Sequence, residues 1–555
     1  MNEFLRKHHR SLFYASWFLV GCIQAFYTEL WDDEAYYWVY SRYLDWGYFD
    51  HPPMTGLLVK LGYAIFPDQL GVRFFPLLLN TLSLVIIEKL LEKKNPFLFY
   101  GIALSIAAIQ VAGFLAVPDI PLIFFTALFF LLYRRFTQQA SRLNIFLLAL
   151  SAALLFYCKY HAVLIIVFTL VSNPKLFTNY RIYLVGLLTL LFITPHLIWQ
   201  YQHDWVSFRY HLFESNVNRY KVSYTTEYLL GQLLLPGPLA GFILIPAALL
   251  YKTKNKTEKA LKFNLIGIYL FFLLSSFRGR VEGNWTSPVF VSLIVLSHQF
   301  LLERMKWQKA LYRLLPLTLL IVLIVRVIMV VDIIPLKFVK ERFHSWKDWP
   351  QQLKQQTNGL PVVFIDSYQK PSKYWFYSGQ VSYSLNSYRR RRNNYNFWPV
   401  EDSILGKPVF VAGDLNPLYS GDSLKNGMKL QAVYYDPSFV SFAKLHFDVK
   451  KKKYEIKEGE PVKLEATFEL DKHYKNFIQQ SSSLKDTTSI AVYSEKGWMK
   501  NIPTPFLLRE LIANGTVQLQ FEPSLPRGKY ALRFVISNGS YPATINSDKI
   551  ELVVE

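Results

Sequence analysis

The chain has 555 residues, 52% of them hydrophobic and 17% aromatic, with a formal net charge of +21. The apolar residues gather before about residue 335 in long runs with few charges, which excludes an ordinary soluble protein of two or three domains. Much of the positive excess lies in short connections between those runs, where anionic headgroups are its expected partner, so nucleic acid is not.

The first run, near 11 to 27, follows a basic segment containing Arg6, Lys7 and Arg10. No small-residue cleavage site comes after it, so it reads as a retained signal-anchor. Eleven spans are expected in all, near 11–27, 71–92, 97–116, 120–134, 143–158, 160–173, 182–199, 229–251, 263–277, 286–302 and 311–333. With a cytoplasmic N-terminus, the connections "EKLLEKKN", "YRRFTQQASR", "NPKLFTNYR", "YKTKNKTEKALK" and "ERMKWQK" fall inside. These carry most of the Lys and Arg, as the positive-inside rule requires. An odd number of spans then places the C-terminal part outside a plasma (inner) membrane. Cys22 and Cys158 both fall in predicted spans, so no disulfide framework is expected.

The outward connections carry the chemistry. They are the stretch "TELWDDEAYYWVYSRYLDWGYFDHPPMTG", the turn "AVPDIP", the "CKYH" junction, the loop "QYQHDWVSFRYHLFESNVNRYK" and the turn "RGRVEGNW". Ionisable groups at the edge of a membrane domain mark a functional site by default. Each also has a plainer reading. Asp33 is a suitable N-cap for a helix beginning at Glu34, and Asp119 for one beginning at Ile120. The Tyr and Trp residues, Tyr37 among them, suit an interfacial belt. His51 before Pro52 and Pro53 suits a turn, and Lys159 suits snorkelling toward headgroups. Arg278, Arg280 and Glu282 suit a salt-bridged surface turn.

From 336 to about 430, strands such as "PVVFID" and "KPVFVAG" alternate with Tyr-rich segments, which predicts a small α/β domain. From 431 to 555, "KLEATFEL", "TSIAVYS", "TVQLQFE", "YALRFVIS" and "KIELVVE" predict a β-sandwich of immunoglobulin-like type. The "RRRR" run at 389–392 reads as a solvated face or a patch that meets a membrane or a phosphorylated acceptor.

Taken together, "DEAYYWVYSRYLDWGYFDHPPMTGLLVK", "PDIPLIFFTALFFLLYRR", "KYHAVL", "HDWVSFRY" and "GRVEGNW" resemble the bacterial protein-mannosyltransferase-like family. That family includes the aminoarabinose transferases acting on lipid A and belongs to the C-type glycosyltransferases. The resemblance covers about residues 10 to 335 and continues into "VVFIDSYQKPSKYWFYSGQ" and "NSYRRRRNNYNFW". It implies transfer of a sugar from a polyprenyl-phosphate carrier to lipid A, a protein or a glycan on the outer membrane face, with inversion. On the matching positions, Asp33 takes the catalytic place, with Glu34 beside it and Asp119 as a second acidic residue. The aminoarabinose transferases have Lys where His51 stands, so phosphate contact passes to Lys159, Arg278 or Arg280.

These residue types suit the chemistry. Cationic donors stabilise a departing lipid phosphate, and a carboxylate in reach takes the acceptor's proton. Glu34 and Asp119 would orient the acceptor or sugar, His51 would touch phosphate or shuttle a proton, and Tyr37 and Glu282 complete the candidate substrate contacts. No His or Cys cluster has metal-ligand spacing, and metal-independent transfer without a cofactor is expected, although outward carboxylates are of the type that holds a divalent cation. The rival expectations are a secondary transporter or flippase, disfavoured because no matching pair of interrupted helices is apparent, and a non-catalytic sugar-binding protein.

Overall fold

The computed structural model describes residues 3–214, 220–334, 336–344, 346–413, 423–425, 430–470, 472–480, 486–495, 497–539 and 541–555. Two compact units emerge, Met1–His344 and Ser345–Glu555.

The first unit is helical. Its helices are α1 (Glu3–Tyr27), α2 (Asp32–Arg42), α3 (Met54–Ile65), α4 (Gln69–Leu90), α5 (Pro96–Ser105), α6 (Ala107–Val111), α7 (Asp119–Gln138) and α8 (Arg142–Cys158). There follow α9 (Ala162–Ser172), α10 (Tyr180–Gln202), α11 (Val206–Arg209), α12 (Val222–Leu234), α13 (Gly241–Leu250), α14 (Lys256–Ser275), α15 (Val289–Leu302), α16 (Met305–Val330) and α17 (Lys337–Phe343). Local chemistry starts several of them. Asp68, Asn95, Ser141, Asn179 and Asn255 each accept a hydrogen bond from a backbone N–H of the helix they precede, which satisfies one of its orphan donors.

Among the described residues, α4, α7, α10 and α16 are long and apolar enough to cross a membrane, and α3, α5, α8, α9, α13 and α15 are shorter apolar helices. On α10 and α16 the apolar side chains face outward; Leu187, Leu190, Leu191, Leu320 and Leu323 are all exposed. In water such a surface would be unfavourable, and against lipid it is the expected one.

Three sequence expectations change. The stretch 28–70 is not a loop, because it contains α2 and α3. Its aromatics are not a belt either. Tyr36, Tyr37, Trp38, Tyr40, Tyr48 and Phe49 are all buried, while Trp46 is 55% exposed. The residues from Glu34 to Ser41 are buried all round the helix, so α2 is held inside the unit.

Thirdly, two expected spans are interrupted. The run 97–116 breaks at Ile106, between α5 and α6, and the run 229–251 breaks between α12 and α13. The breaks meet each other: the Ala108 N–H donates to the Leu235 carbonyl at 3.2 Å. A Cβ on Gly237, whose φ is +121°, would lie 2.2 Å from the Ser105 carbonyl oxygen. Only glycine fits this positive-φ turn and close approach. A paired interruption does exist, contrary to the sequence expectation, because "LPGPLA" supplies a turn within a continuously apolar run.

Among the described residues, the second unit carries three sheets. The first contains β1 (Val362–Ile365), β2 (Ser382–Leu385), β3 (Val409–Ala412), β4 (Ser423–Lys425) and β5 (Leu430–Asp436), in the order β2-β1-β3-β5-β4. Strand β1 runs parallel to β2 and β3, while β5 returns antiparallel to β3. The remaining strands are β6 (His446–Val449), β7 (Lys453–Ile456), β8 (Val462–Glu469), β9 (Thr487–Ser494), β10 (Gly497–Pro503), β11 (Thr516–Phe521), β12 (Gly528–Ser537), β13 (Thr544–Ile545) and β14 (Ile550–Val554). They form β10-β9-β12-β14-β7, with β13 on β12, and β11-β8-β6. Phe447 of β6 stacks on Phe534 of β12 at 4.4 Å, and Leu464, Val517, Ile490, Leu532 and Leu552 share their core. The five alternating segments of the sequence are β8, β9, β11, β12 and β14; β8, β11 and β14 bury one face, as a period of two requires, whereas β9 and β12 are buried on both, with Ala491 and Val535 packed on Tyr388.

Candidate active site

Asp119 organises a buried polar cluster. It is the first residue of α7, behind Pro118 at the cap position, so it does not itself cap the helix. Its Oδ1 receives Lys159 Nζ at 2.9 Å and the Ser287 hydroxyl at 2.8 Å, and its Oδ2 receives Asn284 Nδ2 at 2.8 Å. Lys159, at the C-terminus of α8, is buried with it rather than snorkelling. Burying a charge is costly unless it is paired and hydrogen-bonded, and both conditions hold here.

The turn after α14 is divided. Asn284, itself exposed, and the buried Ser287 both reach the Asp119 carboxylate, and Trp285 packs on the His161 ring at 5.4 Å. Arg278, Arg280 and Glu282 face out and are exposed. Arg280 lies 3.5 Å from Glu227 and 3.8 Å from Glu282, the loose pairing of a surface turn. The structure therefore does not gather these three residues with Asp119.

A second buried pair fixes the first outward segment. Glu34 and Arg73 are both fully buried. Arg73 Nε and Nη2 donate to Glu34 Oε1 and Oε2 at 2.7 and 2.5 Å, a bidentate pair. Arg73 also donates to the carbonyls of Ala25, Thr28 and Glu29. Glu34 accepts from the Trp31 N–H at 2.9 Å and from the Ala116 N–H at 2.8 Å. This carboxylate therefore ties the first turn of α2 to the turn that delivers Asp119. Asp33 stands one residue before it and is exposed in the first turn of α2. The helix begins at Asp32 behind Trp31, so Asp33 is not its cap.

His51 lies between these groups. Its ring meets the edge of Tyr37 at 5.7 Å, and it is within electrostatic reach of Asp50, Asp119, Lys159 and His211. The residue keeps some exposed surface, yet protein surrounds the ring. That desolvation lowers its pKa to about 4, so it is neutral at neutral pH. Its neighbour Asp50 accepts from the Tyr40 hydroxyl on Oδ1, and the His211 ring Nε2 contacts the Asp50 carbonyl at 2.9 Å. Ser207 donates to the Tyr48 carbonyl and receives from Gln200, which also reaches Tyr160. The loop 200–214 is thereby fastened to the first outward segment. Among the described residues, no three of His, Cys, Asp and Glu converge as metal ligands would.

Arg73, Asn284, Ser287 and His211 are the residues that sequence reasoning missed. A lone Arg inside the apolar run of α4 was a legible signal. Asn284 and His211 stand inside segments already singled out, whereas nothing local marks Ser287.

Residues 50–199 match the family described as dolichyl-phosphate-mannose-protein mannosyltransferase. That matched segment runs from Asp50 to Trp199, within the helical unit, and carries His51, Asp119 and Lys159. Over 303 residues the chain is 24% identical to the lipid A galacturonosyltransferase RgtD of Rhizobium johnstonii, covering 51% of this chain and 63% of that one. It is 27% identical over 263 residues to an uncharacterised protein of Aquifex aeolicus, covering 45% and 52%. The chain thus spans less than two thirds of either relative. Its fold is that of ArnT from Cupriavidus metallidurans, solved in the apo state, with a TM-score of 0.60 at 14% identity over 78% of this chain and 98% of that one. The structure of ArnT bound to undecaprenyl phosphate aligns with a TM-score of 0.55 at 14% identity, over 77% and 98%.

Proposed function

We propose that this protein is a membrane glycosyltransferase that moves a sugar from a polyprenyl-phosphate carrier to a lipid acceptor. The observation that carries this reading is the Glu34 to Ala116 bond, which links the segments bearing Asp33 and Asp119, two carboxylates in contrasting surroundings. A buried, fully engaged carboxylate organises neighbours; an exposed one is accessible to an incoming hydroxyl. Asp33 therefore takes the acceptor proton. The acceptor oxygen attacks the anomeric carbon from the face opposite the carrier, the bond to the carrier phosphate breaks, and configuration inverts.

Lys159, held by Asp119, whose carboxylate Asn284 and Ser287 also fix, supplies positive charge toward the departing lipid phosphate. His51 is neutral and offers a hydrogen bond to that phosphate, and Tyr37 backs its ring. Glu34 acts as the tether of α2 rather than as a base. The step uses no metal ion or other cofactor, and full activity in excess chelator would support that. Eleven crossings, a cytoplasmic N-terminus and an extracytoplasmic second unit complete the reading. The name of the relative RgtD supports a lipid acceptor, and the likeness to ArnT bound to undecaprenyl phosphate supports the carrier.

Asp33→Asn is expected to insert and fold normally while transfer falls by about 10² to 10⁴, the usual contribution of a positioned base. The assay is turnover of a labelled polyprenyl-phosphate sugar by purified enzyme in lipid, and near-normal turnover would remove Asp33 from the mechanism. The meeting of the two interrupted helices favours a second reading, movement of a lipid-linked substrate across the membrane. The Arg326 guanidinium reaches that junction and donates to the Gln110 carbonyl at 2.6 Å, while Ser105, Gln110, Leu235 and Gly237 supply no carboxylate with which to couple a cation. Carrier translocated without any sugar transferred would favour this alternative.

A further inference from the structure

The Arg389–Arg392 run is not used by the transfer step proposed above, and the second unit does not leave it isolated. Asp548 brings it against another basic run: Arg392 Nη1 lies 3.9 Å from Asp548 Oδ1, and Lys452 Nζ lies 3.2 Å from Asp548 Oδ2. Arg389, Arg390, Arg391 and all four lysines from Lys450 to Lys453 are exposed. Glu465 partners Lys450 at 3.1 Å and Glu455 partners Lys453 at 2.7 Å, so among the described residues cations outnumber carboxylates along this ridge. At its far end the Arg389 guanidinium sits 4.4 Å from the Trp498 ring centroid. Trp498 and its neighbour Met499 are 39% and 42% exposed near the start of β10.

We propose that this ridge docks on the anionic phospholipid headgroups of the membrane in which the chain is embedded. Packing so many like charges together is unfavourable in an isolated protein, and an anionic surface offsets it. Each basic residue near such a surface contributes about 1 kcal/mol, and an exposed indole beside Arg and Lys is the combination that rests at headgroup level. The segment from Val330 to Asp348 spans at most about 60 Å even when fully stretched, which keeps the unit bearing the ridge tethered to the membrane-embedded one. The attachment is therefore intramolecular, and modest individual contributions suffice. None of this depends on the transfer chemistry.

The test is hydrogen exchange of the full chain in nanodiscs, one set of phosphatidylcholine alone and one also containing phosphatidylglycerol. Segments 386–394, 449–456 and 497–502 are expected to exchange more slowly in the anionic discs, and high salt should abolish the difference. Arg389→Gln, Arg390→Gln and Lys451→Gln leave the Asp548 clasp intact. Each should weaken protection by about fivefold, the factor equivalent to 1 kcal/mol. The corresponding Arg→Lys variants at 389 and 390 should retain it. Equal exchange in the two lipids would overturn the proposal. Protection appearing only when soluble polygalacturonate is added to the phosphatidylcholine discs would also overturn it, and would assign the ridge to an acidic glycan.

Discussion

At the residue scale, what a side chain can do here depends on which neighbours bury it. Asp33 and Glu34 are adjacent acids with opposite fates, one exposed and one locked by Arg73. His51 shows the same principle through its protonation. Its surroundings remove water without supplying a dominating anion, so it stays neutral down to about pH 4. Activity measured from pH 5 to 8 should therefore show no inflection from His51, and His51→Asn should leave the shape of the profile unchanged. An inflection near 6.5 that disappears in His51→Asn would refute this. Stability has the matching sign. Below about 6.5 only the unfolded chain takes up the proton, so this residue's contribution to stability falls as the pH drops toward 4, and His51→Asn should abolish that loss.

At the element scale, the Glu34 and Arg73 pair joins α2, α4, the end of α1 and the turn before α7. Removing one partner leaves a buried charge alone, so Glu34→Gln or Arg73→Met should destabilise by about 3 to 5 kcal/mol. The double variant should recover part of that loss, measured by thermal unfolding in lipid or detergent; additive losses would show that the two act independently. Helix α3 meets α4 just as closely. A Cβ on Gly62 would fall 2.1 Å from the Gly71 carbonyl oxygen, so the hairpin rests on backbone contact. Neither contact was legible in the sequence, since both join positions far apart in character. A mid-span Arg announces a need for a partner without naming it, and an apolar helix containing glycine looks like any other. The capping residues were more legible, because Asp, Asn or Ser before an apolar run acts locally.

At the scale of the whole molecule, the two units respond to different conditions. In the second, Glu401 is buried beside Tyr383 and Tyr474, and desolvation raises its pKa to about 7 despite a hydrogen bond from Ser441 and the nearby Lys444. The native state then holds a proton that the unfolded chain releases near 4.5. Stability should fall as pH rises from about 4.5 to 7, by up to about 3 kcal/mol at 1.36 kcal/mol per pH unit. Glu401→Gln should flatten this dependence in the thermal unfolding of the full chain. An unchanged slope would show that the carboxyl is already ionised in the native state.

Local sequence alone carried the membrane character, the strand pattern of the second unit and the segments on which the polar groups stand, whereas the compact units divide at His344 and Ser345. The first three follow from local composition and period, which act over a few residues. Only the tertiary structure decided that Asp119 holds Lys159, that Glu34 is a tether, that Arg278 and Arg280 stay at the surface, and that two basic runs share one acid. Those outcomes depend on which distant groups exclude water from a given charge, and a desolvated charge must find its partner wherever the fold brings one.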